Sequence, residues 1–147
     1  MEFNTNKLLE LGLLRKIPAS KEKAEESMKT ARAWIKEAEN NLNIGSFRSC
    51  ILTSYLAMFH AARSILFMDG FREKSHFAVA RYLEDKYTAR GLLEEKYIDL
   101  LDHYREIRHD DQYSTLFITT EEEVSKTLDS SKKFVERIGK LLKSKVS

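Results

Sequence analysis

Apolar and polar positions repeat at helical spacing along most of the chain, and the stretch from residue 46 to residue 70 is apolar on nearly every side. This stretch contains neither glycine nor proline before Gly70. A helix that is apolar all round is normally buried by its neighbours, so the pattern predicts a central helix. Ser46 is expected to cap its N-terminus with the hydroxyl, and Gly70 is expected to end it in the left-handed conformation.

Four further segments show the one-sided apolar pattern of helices that pack around such a core. They cover about residues 20–42, 75–87, 92–112 and 119–142. The clearest stripe belongs to the last segment and consists of Val124, Leu128, Ser131, Val135, Ile138 and Leu142. The stripe of the segment 92–112 consists of Tyr97, Leu100, Leu101, Tyr104 and Ile107. Ser75 is expected to cap the third helix, and the run TTEEE offers a capping box at Thr119 or Thr120 for the last one.

The remaining segments are expected to connect these helices. Residues 7–14 predict a short helix that the Ile17-Pro18 pair interrupts, and residues 71–74 predict a loop. Residues 113–119 are expected to form an extended connector, since no other segment could pair with them as a strand. The fold class is therefore all-α, an up-down antiparallel bundle of about five helices. It forms a single domain, with residues 1–18 as an N-terminal extension and residues 19–143 as the bundle.

The composition of the chain indicates where the protein is located in the cell but says little about its function. The 147 residues carry 25 Lys and Arg against 23 Asp and Glu, and a net charge of +2 does not by itself predict a nucleic-acid or membrane partner. Cys50 lies inside the central helix, which predicts a buried thiol in a reducing compartment. The N-terminus lacks the pattern of a signal peptide, and the apolar run 57–68 is too short to span a bilayer. We expect a cytoplasmic protein without a membrane partner.

Two blocks of charge stand out, one acidic over residues 94–111 and one basic over residues 132–145. Solvated helix faces explain both blocks, and a complementary partner surface or an RNA-facing patch would explain them as well. Composition does not choose between these interpretations.

A thin polar seam runs along the central helix. Ser49, Thr53, His60 and Ser64 fall in one narrow sector of its helical wheel. His60 is interpreted either as a hydrogen-bonded core histidine or as a residue that lines a cleft.

The segment from residue 103 to residue 114 carries a second polar cluster. Arg108 and Asp111 fall within the apolar sector of their helix and should point into the bundle, where a charge is costly unless it is paired. Either they pair with each other three residues apart, or Arg108 is a partly desolvated binder of phosphate. Arg105, His109 and Gln112 are expected on a flank that is more open to solvent.

Metal ligands are a weaker interpretation. Glu73 and His76, like Glu106 and His109, have the E-x-x-H spacing of di-iron bundles. The first pair straddles a loop and a helix start, and Glu106 lies opposite the apolar stripe, so neither a metal nor a cofactor is expected. The helix dipole in the first turn after Ser75 favours the neutral form of His76, for which a structural role is expected.

The phrase SYLAMFHAARSILFMDG, the KSH helix start and the phrase REIRHDDQYS together resemble the HEPN domain (higher eukaryotes and prokaryotes nucleotide-binding). The resemblance is greatest to stand-alone prokaryotic and archaeal members that are encoded beside minimal nucleotidyltransferases. It implies a five-helix domain that forms a homodimer, with the arginine motif near the dimer interface.

Active HEPN ribonucleases carry an arginine followed, after four to six residues, by a histidine that acts as acid or base. Arg108 matches the arginine, and Tyr113 stands where the histidine would be. The favoured hypothesis is a partner of a minimal nucleotidyltransferase in a toxin–antitoxin-like system, non-catalytic or weakly active, which binds nucleotide or RNA around His60, Arg108 and Tyr113. The alternatives are a metal-independent ribonuclease that uses His109 or His60, and a purely structural helical dimer.

Overall fold

The computed structural model describes residues 2–113 and 119–146, without the side chains of residues 111–113. Helices dominate this part of the chain, and the all-α class is confirmed. In chain order the elements are α1 (Thr5–Glu10), β1 (Leu14–Lys16), α2 (Lys21–Asn43), α3 (Phe47–Asp69), β2 (Phe71–Glu73), α4 (His76–Lys86), a 3₁₀ turn (Thr88–Arg90), α5 (Glu95–Tyr113) and α6 (Glu121–Val146).

Helix α3 is the centre of the bundle, as its apolar pattern predicted. Two hydroxyls join it to α2 and α6, since Ser27 Oγ donates to the carbonyl of His60 at 2.7 Å and Ser131 Oγ donates to the carbonyl of Ser54 at 2.7 Å. By length and composition α3 could also cross a membrane, but 78% of its most apolar window is buried inside the bundle. That burial is the profile of a core helix.

The predicted apolar stripes face the core. All six stripe residues of α6 are buried, and Ala24, Met28, Ala31 and Ala38 of α2 are buried with them. In α5, Leu101 and Tyr104 are buried, and so is Ile98, which the sequence pattern did not single out. Ser20, Ser75 and Thr120 each accept a hydrogen bond from the backbone N–H three residues further on, so these helix starts have hydroxyl caps.

Ser46 is an exception to the predicted capping. Its side chain makes no capping hydrogen bond at the start of α3. A tight turn through Gly45, at φ +77°, instead brings the Ser46 N–H to the carbonyl of Asn41 at 2.8 Å. A backbone hydrogen bond therefore fixes the junction between α2 and α3, and the expected capping bond of the Ser46 hydroxyl is absent.

A small antiparallel sheet forms where the sequence predicted the end of the first helix and a loop. The helix predicted over residues 7–14 lies at Thr5–Glu10, and the loop predicted over residues 71–74 forms strand β2. Leu14 pairs with Glu73 and Lys16 with Phe71. Strands of three residues are too short to show a period, and their pairing depends on contacts far apart in sequence. Residues 1–18, predicted as an extension, contribute the fully buried Leu8 to the main hydrophobic cluster. The connector predicted over residues 113–119 lies largely outside the described residues.

Candidate functional site

A cleft of about 480 Å³ opens between the start of α4 and the second half of α5. Ser75 fixes the first turn of α4 by capping it, and this places His76 and Phe77 at the wall of the cleft. The residues that line the cleft are His76, Phe77, Arg105, Glu106, Arg108, His109 and Asp110. Glu106, His109 and Asp110 are exposed and form its rim.

Arg108 points inward, as its place on the helical wheel predicted. Its guanidinium carbon lies 5.3 Å from the centroid of the buried Tyr55 ring, a cation–π contact between α5 and α3. The predicted pair between Arg108 and Asp111, and the predicted role of Tyr113, fall on side chains that lie outside the described part of the structure. They stay predictions.

Arg105 is less exposed than its predicted open flank implied, with 19% of its side chain accessible. Its Nη1 donates to Asp102 Oδ1 at 2.7 Å, and its guanidinium lies 5.5 Å from the Phe77 ring. Arg81 binds the same Asp102 carboxylate and lies 5.2 Å from the same ring. Arg81 also forms an ion pair with Glu84, from Nε to Oε1 at 3.5 Å, so the two guanidinium groups are matched by two carboxylates.

His76 is a site residue for which the sequence analysis weighed a metal site and then expected a structural role. Its Nδ1 is 2.9 Å from the Tyr55 hydroxyl, and its ring stacks on Phe59 with centroids 3.8 Å apart and planes 14° apart. Burial lowers the pKa of His76 to about 4, with help from the positive charge of Arg108. The imidazole is therefore neutral at pH 7, as its place in the first turn suggested, and its structural contacts also hold it at the cleft wall.

The Tyr55 hydroxyl completes this arrangement. Tyr55 is 1% exposed, and burial raises the pKa of its hydroxyl above the usual range. A hydroxyl that keeps its proton at neutral pH can donate to Nδ1 of His76, which leaves the other ring nitrogen to carry the proton. Tyr55 thus contacts both Arg108, through its ring, and His76, through its oxygen.

The polar seam of α3 does not line this cleft. Thr53 Oγ1 donates to the carbonyl of Ser49 at 2.7 Å and accepts from Asn41 Nδ2 at 3.3 Å, so this end of the seam belongs to the junction of α3 with α2. The ring of His60 is half-buried and contacts the ring of Phe59. Burial is the main cause that lowers the pKa of His60, and the positive charge of the nearby Arg63 lowers it further. Among the described residues, none of Ser49, Thr53 and His60 reaches the cleft.

A partly buried ion pair joins α3 to β2. Arg63 Nε donates to Glu73 Oε1 at 2.6 Å, and the Arg63 guanidinium lies 4.6 Å from the Phe59 ring. Glu73 and His76, the E-x-x-H pair of the sequence, therefore have different partners. Arg63 binds the carboxylate of Glu73, and Tyr55 binds the imidazole of His76. In the described ranges no three His, Cys, Asp or Glu side chains come together as metal ligands.

The sequence was compared with protein families and with known proteins. The HEPN domain matches residues 24–141, most of the chain. A Methanocaldococcus jannaschii protein named as a candidate toxin is 29% identical over 136 residues, which are 92% of this chain and 96% of that protein. A UPF0332 protein of Pyrococcus horikoshii is 30% identical over 84 residues, which are 57% of this chain and 59% of that protein. The chain belongs to the HEPN domain family.

Proposed function

We propose that this HEPN protein binds a nucleotide or RNA phosphate in the cleft between α4 and α5. The observation that carries the proposal is that Arg105 and Arg108 reach one cleft together with the neutral imidazole of His76. A guanidinium group offers several N–H donors in one plane and matches the oxygens of a phosphate. Arg108 lies partly out of water against Tyr55, and its attraction for an anion is stronger there than at an open surface.

We further infer that the protein acts as a toxin-like partner of a minimal nucleotidyltransferase, as a homodimer in the cytoplasm. The relative named as a candidate toxin aligns with nearly the whole chain, which supports the toxin-like role. The resemblance of the central-helix and α5 phrases to members encoded beside nucleotidyltransferases supports the partner. In this proposal the protein is non-catalytic or weakly active, because Tyr113 stands where active relatives have a histidine.

Fluorescence anisotropy with a labelled single-stranded oligoribonucleotide tests the binding. Arg108→Ala should weaken binding about tenfold, in line with the loss of one charge-assisted phosphate contact. Arg15→Ala is the matched control, because Arg15 lies exposed on β1 and outside the cleft. Equal binding by the wild type and both variants would show that the cleft is not the phosphate site, and would leave a structural dimer as the better explanation.

A metal-independent ribonuclease is the second candidate, and the position of His109 in the same cleft as Arg108 favours it. Because the Tyr55 hydroxyl donates to Nδ1 of His76, its other ring nitrogen carries the proton and can donate a hydrogen bond to a phosphate oxygen. The base that accepts the proton of the ribose 2′-hydroxyl, as that oxygen attacks phosphorus, is therefore another group. The leaving 5′-oxygen also needs a proton, and a histidine with a pKa of about 4 is a poor donor at pH 7. In this candidate His109, at the rim of the cleft, supplies the proton, because His60, the alternative expected from the sequence, does not reach the cleft.

Placing a histidine at position 113 separates the two candidates, because a non-catalytic protein should gain cleavage whereas a ribonuclease that uses His109 already cleaves as the wild type. Tyr113→His recreates the family spacing of an arginine, four residues and a histidine, and acid–base help of this kind typically contributes about 10²- to 10⁴-fold. We expect the variant to cleave RNA in EDTA, and Arg108→Ala to abolish the gain. Robust cleavage by the wild type that survives Arg108→Ala would contradict the assignment.

A further inference from the structure

A second groove, of about 510 Å³, runs between α2 and α6. The two helices are antiparallel there, because Glu39 is paired with Lys132 at 3.0 Å near one end and Arg32 lies beside Gly139 near the other. The groove spans about two helical turns of α2. The lining residues are Arg32, Ile35, Lys36, Glu39, Lys132, Val135, Glu136, Gly139, Lys140 and Lys143.

The rim of this groove has an excess of positive charge. Its two acids are each paired with a lysine, Glu39 with Lys132 and Glu136 with Lys140. The other three cations, Arg32, Lys36 and Lys143, are exposed, and none of them forms an ion pair with a described residue. They come from both walls, so a ligand in the groove would meet positive charge on each side.

The floor of the groove is aliphatic. Ile35 is half-buried and Val135 is 5% exposed, and neither carries a polar atom in its side chain. No aromatic side chain is among the lining residues on which a nucleobase could stack. An apolar floor between charged walls suits an amphipathic helix of a protein better than it suits a single-stranded nucleic acid.

Gly139 has no side chain, which makes the groove deeper at this position but makes helix α6 less stable. Glycine in a helix interior is destabilising relative to alanine, and Gly139 lies well inside α6. A Cβ atom at this position would meet only the flexible end of Arg32, at 3.4 Å. The fold itself therefore has room for a side chain, and the missing one leaves a notch between the walls.

From these observations we propose that the groove is a docking site for an acidic amphipathic helix of a partner protein. Carboxylates of that helix pair with Arg32 and Lys36 on one wall and with Lys143 on the other. An apolar side chain of the same helix enters the notch at Gly139. The site is separate from the nucleotide cleft, which α4 and α5 form, so it does not depend on the function proposed for that cleft.

Binding of a labelled amphipathic peptide, with leucine at helical spacing and glutamate on both flanks, tests the proposal. Lys36→Glu combined with Lys143→Glu should weaken binding at least about tenfold and should create binding of the matching lysine peptide. The control is Lys29→Glu with Lys133→Glu, which changes the net charge equally on the same two helices and outside the groove. This control should leave the affinity for the glutamate peptide unchanged within about twofold.

Filling the notch tests the apolar half of the proposal. Gly139→Leu should weaken peptide binding while the melting temperature stays equal or rises, because leucine is the better helix former. Four results would each overturn the proposal. They are no binding of the glutamate peptide, equal binding of a glutamine counterpart, the same affinity after the groove charges are reversed, and displacement of the peptide by an oligoribonucleotide.

Discussion

His76 shows at the scale of one residue what the sequence could and could not predict. Arg108 was predictable, because the helical wheel depends only on neighbours along α5. The contacts of His76 were not predictable in the same way, since Tyr55 and Phe59 lie on another helix and Tyr55 is 21 positions from His76 along the chain. The signal available in the sequence was the spacing of Tyr55 and Phe59, which lie one turn apart on the same side of α3. That spacing indicated an aromatic surface against which another helix could pack.

The low pKa of His76 predicts how stability depends on pH. The histidine binds a proton near pH 6.5 in the unfolded chain and near pH 4 in the folded protein, so the unfolded state holds more protons between these values. Stability is therefore present above pH 6.5 and is lost as the pH falls toward 4. After a discount for the partly exposed ring, this loss should be on the order of 1 kcal/mol.

Urea denaturation of the wild type and of His76→Gln at pH 7 and pH 4.5 measures this effect. Glutamine does not titrate and can still accept a hydrogen bond from Tyr55. The variant should lose less stability than the wild type between the two pH values, although His60, whose pKa is also lowered, still titrates in both proteins. Equal losses would show that His76 is not held neutral by the fold.

At the scale of elements, Gly70 connects the end of α3 to the N-terminal segment. It has φ +88°, and a Cβ atom there would lie 3.0 Å from the carbonyl oxygen of Ile17. The backbones are this close because the Ile17 N–H donates to the carbonyl of Gly70 at 3.0 Å. Glycine thus serves both to end α3 and to let the segment before Pro18 pack beside it.

A comparison of two glycines separates these roles. At Gly91 the backbone has φ +73°, and an added Cβ atom would have no neighbouring atom within 4 Å. Gly91→Ala therefore forces only an alanine into the left-handed conformation, and it should lower the free energy of unfolding by about 1 to 2 kcal/mol. Gly70→Ala adds the clash with Ile17 and should cost about 1 to 3 kcal/mol more. Chemical denaturation of both variants gives the difference. Equal costs would mean that the N-terminal segment moves away freely.

The helices were predictable from the sequence because their apolar stripes are local patterns. The stripe of α6, from Val124 to Leu142, needed only the spacing of residues along one helix. The pairing of β1 with β2 was not predictable, since it joins residues 14–16 to residues 71–73 through three-residue strands with no period of their own. The hydroxyl cap assigned to Ser46 was wrong because the turn after α2 controls that backbone.

At the scale of the whole molecule, one face of α3 is incompletely covered in a single chain. Leu52 and Leu56 are only partly buried and belong to neither hydrophobic cluster of the described residues. They lie one helical turn apart near the start of the central helix, on one side of it. Together with the family resemblance, this apolar strip supports the proposed homodimer.

Light scattering tests the oligomeric state. A homodimer should give about twice the 17.1 kDa of one chain at micromolar concentration. Leu52→Glu with Leu56→Glu should shift the mass to that of one chain, because charge is costly in an apolar interface. Leu92→Glu, at a 51% exposed leucine on another surface, is the control and should leave the mass unchanged. A wild type of one-chain mass would contradict the dimer.

Nuclear magnetic resonance of the side chains tests most directly whether the cleft between α4 and α5 binds phosphate. We would titrate a single-stranded oligoribonucleotide into protein with labelled arginine and histidine. The resonances of the guanidinium Nε–H groups of Arg105 and Arg108 and of the His76 ring should shift together, while those of Arg15 and Arg32 should stay in place. Shifts confined to Arg32 and the groove between α2 and α6, with none at Arg108, would contradict the proposed function.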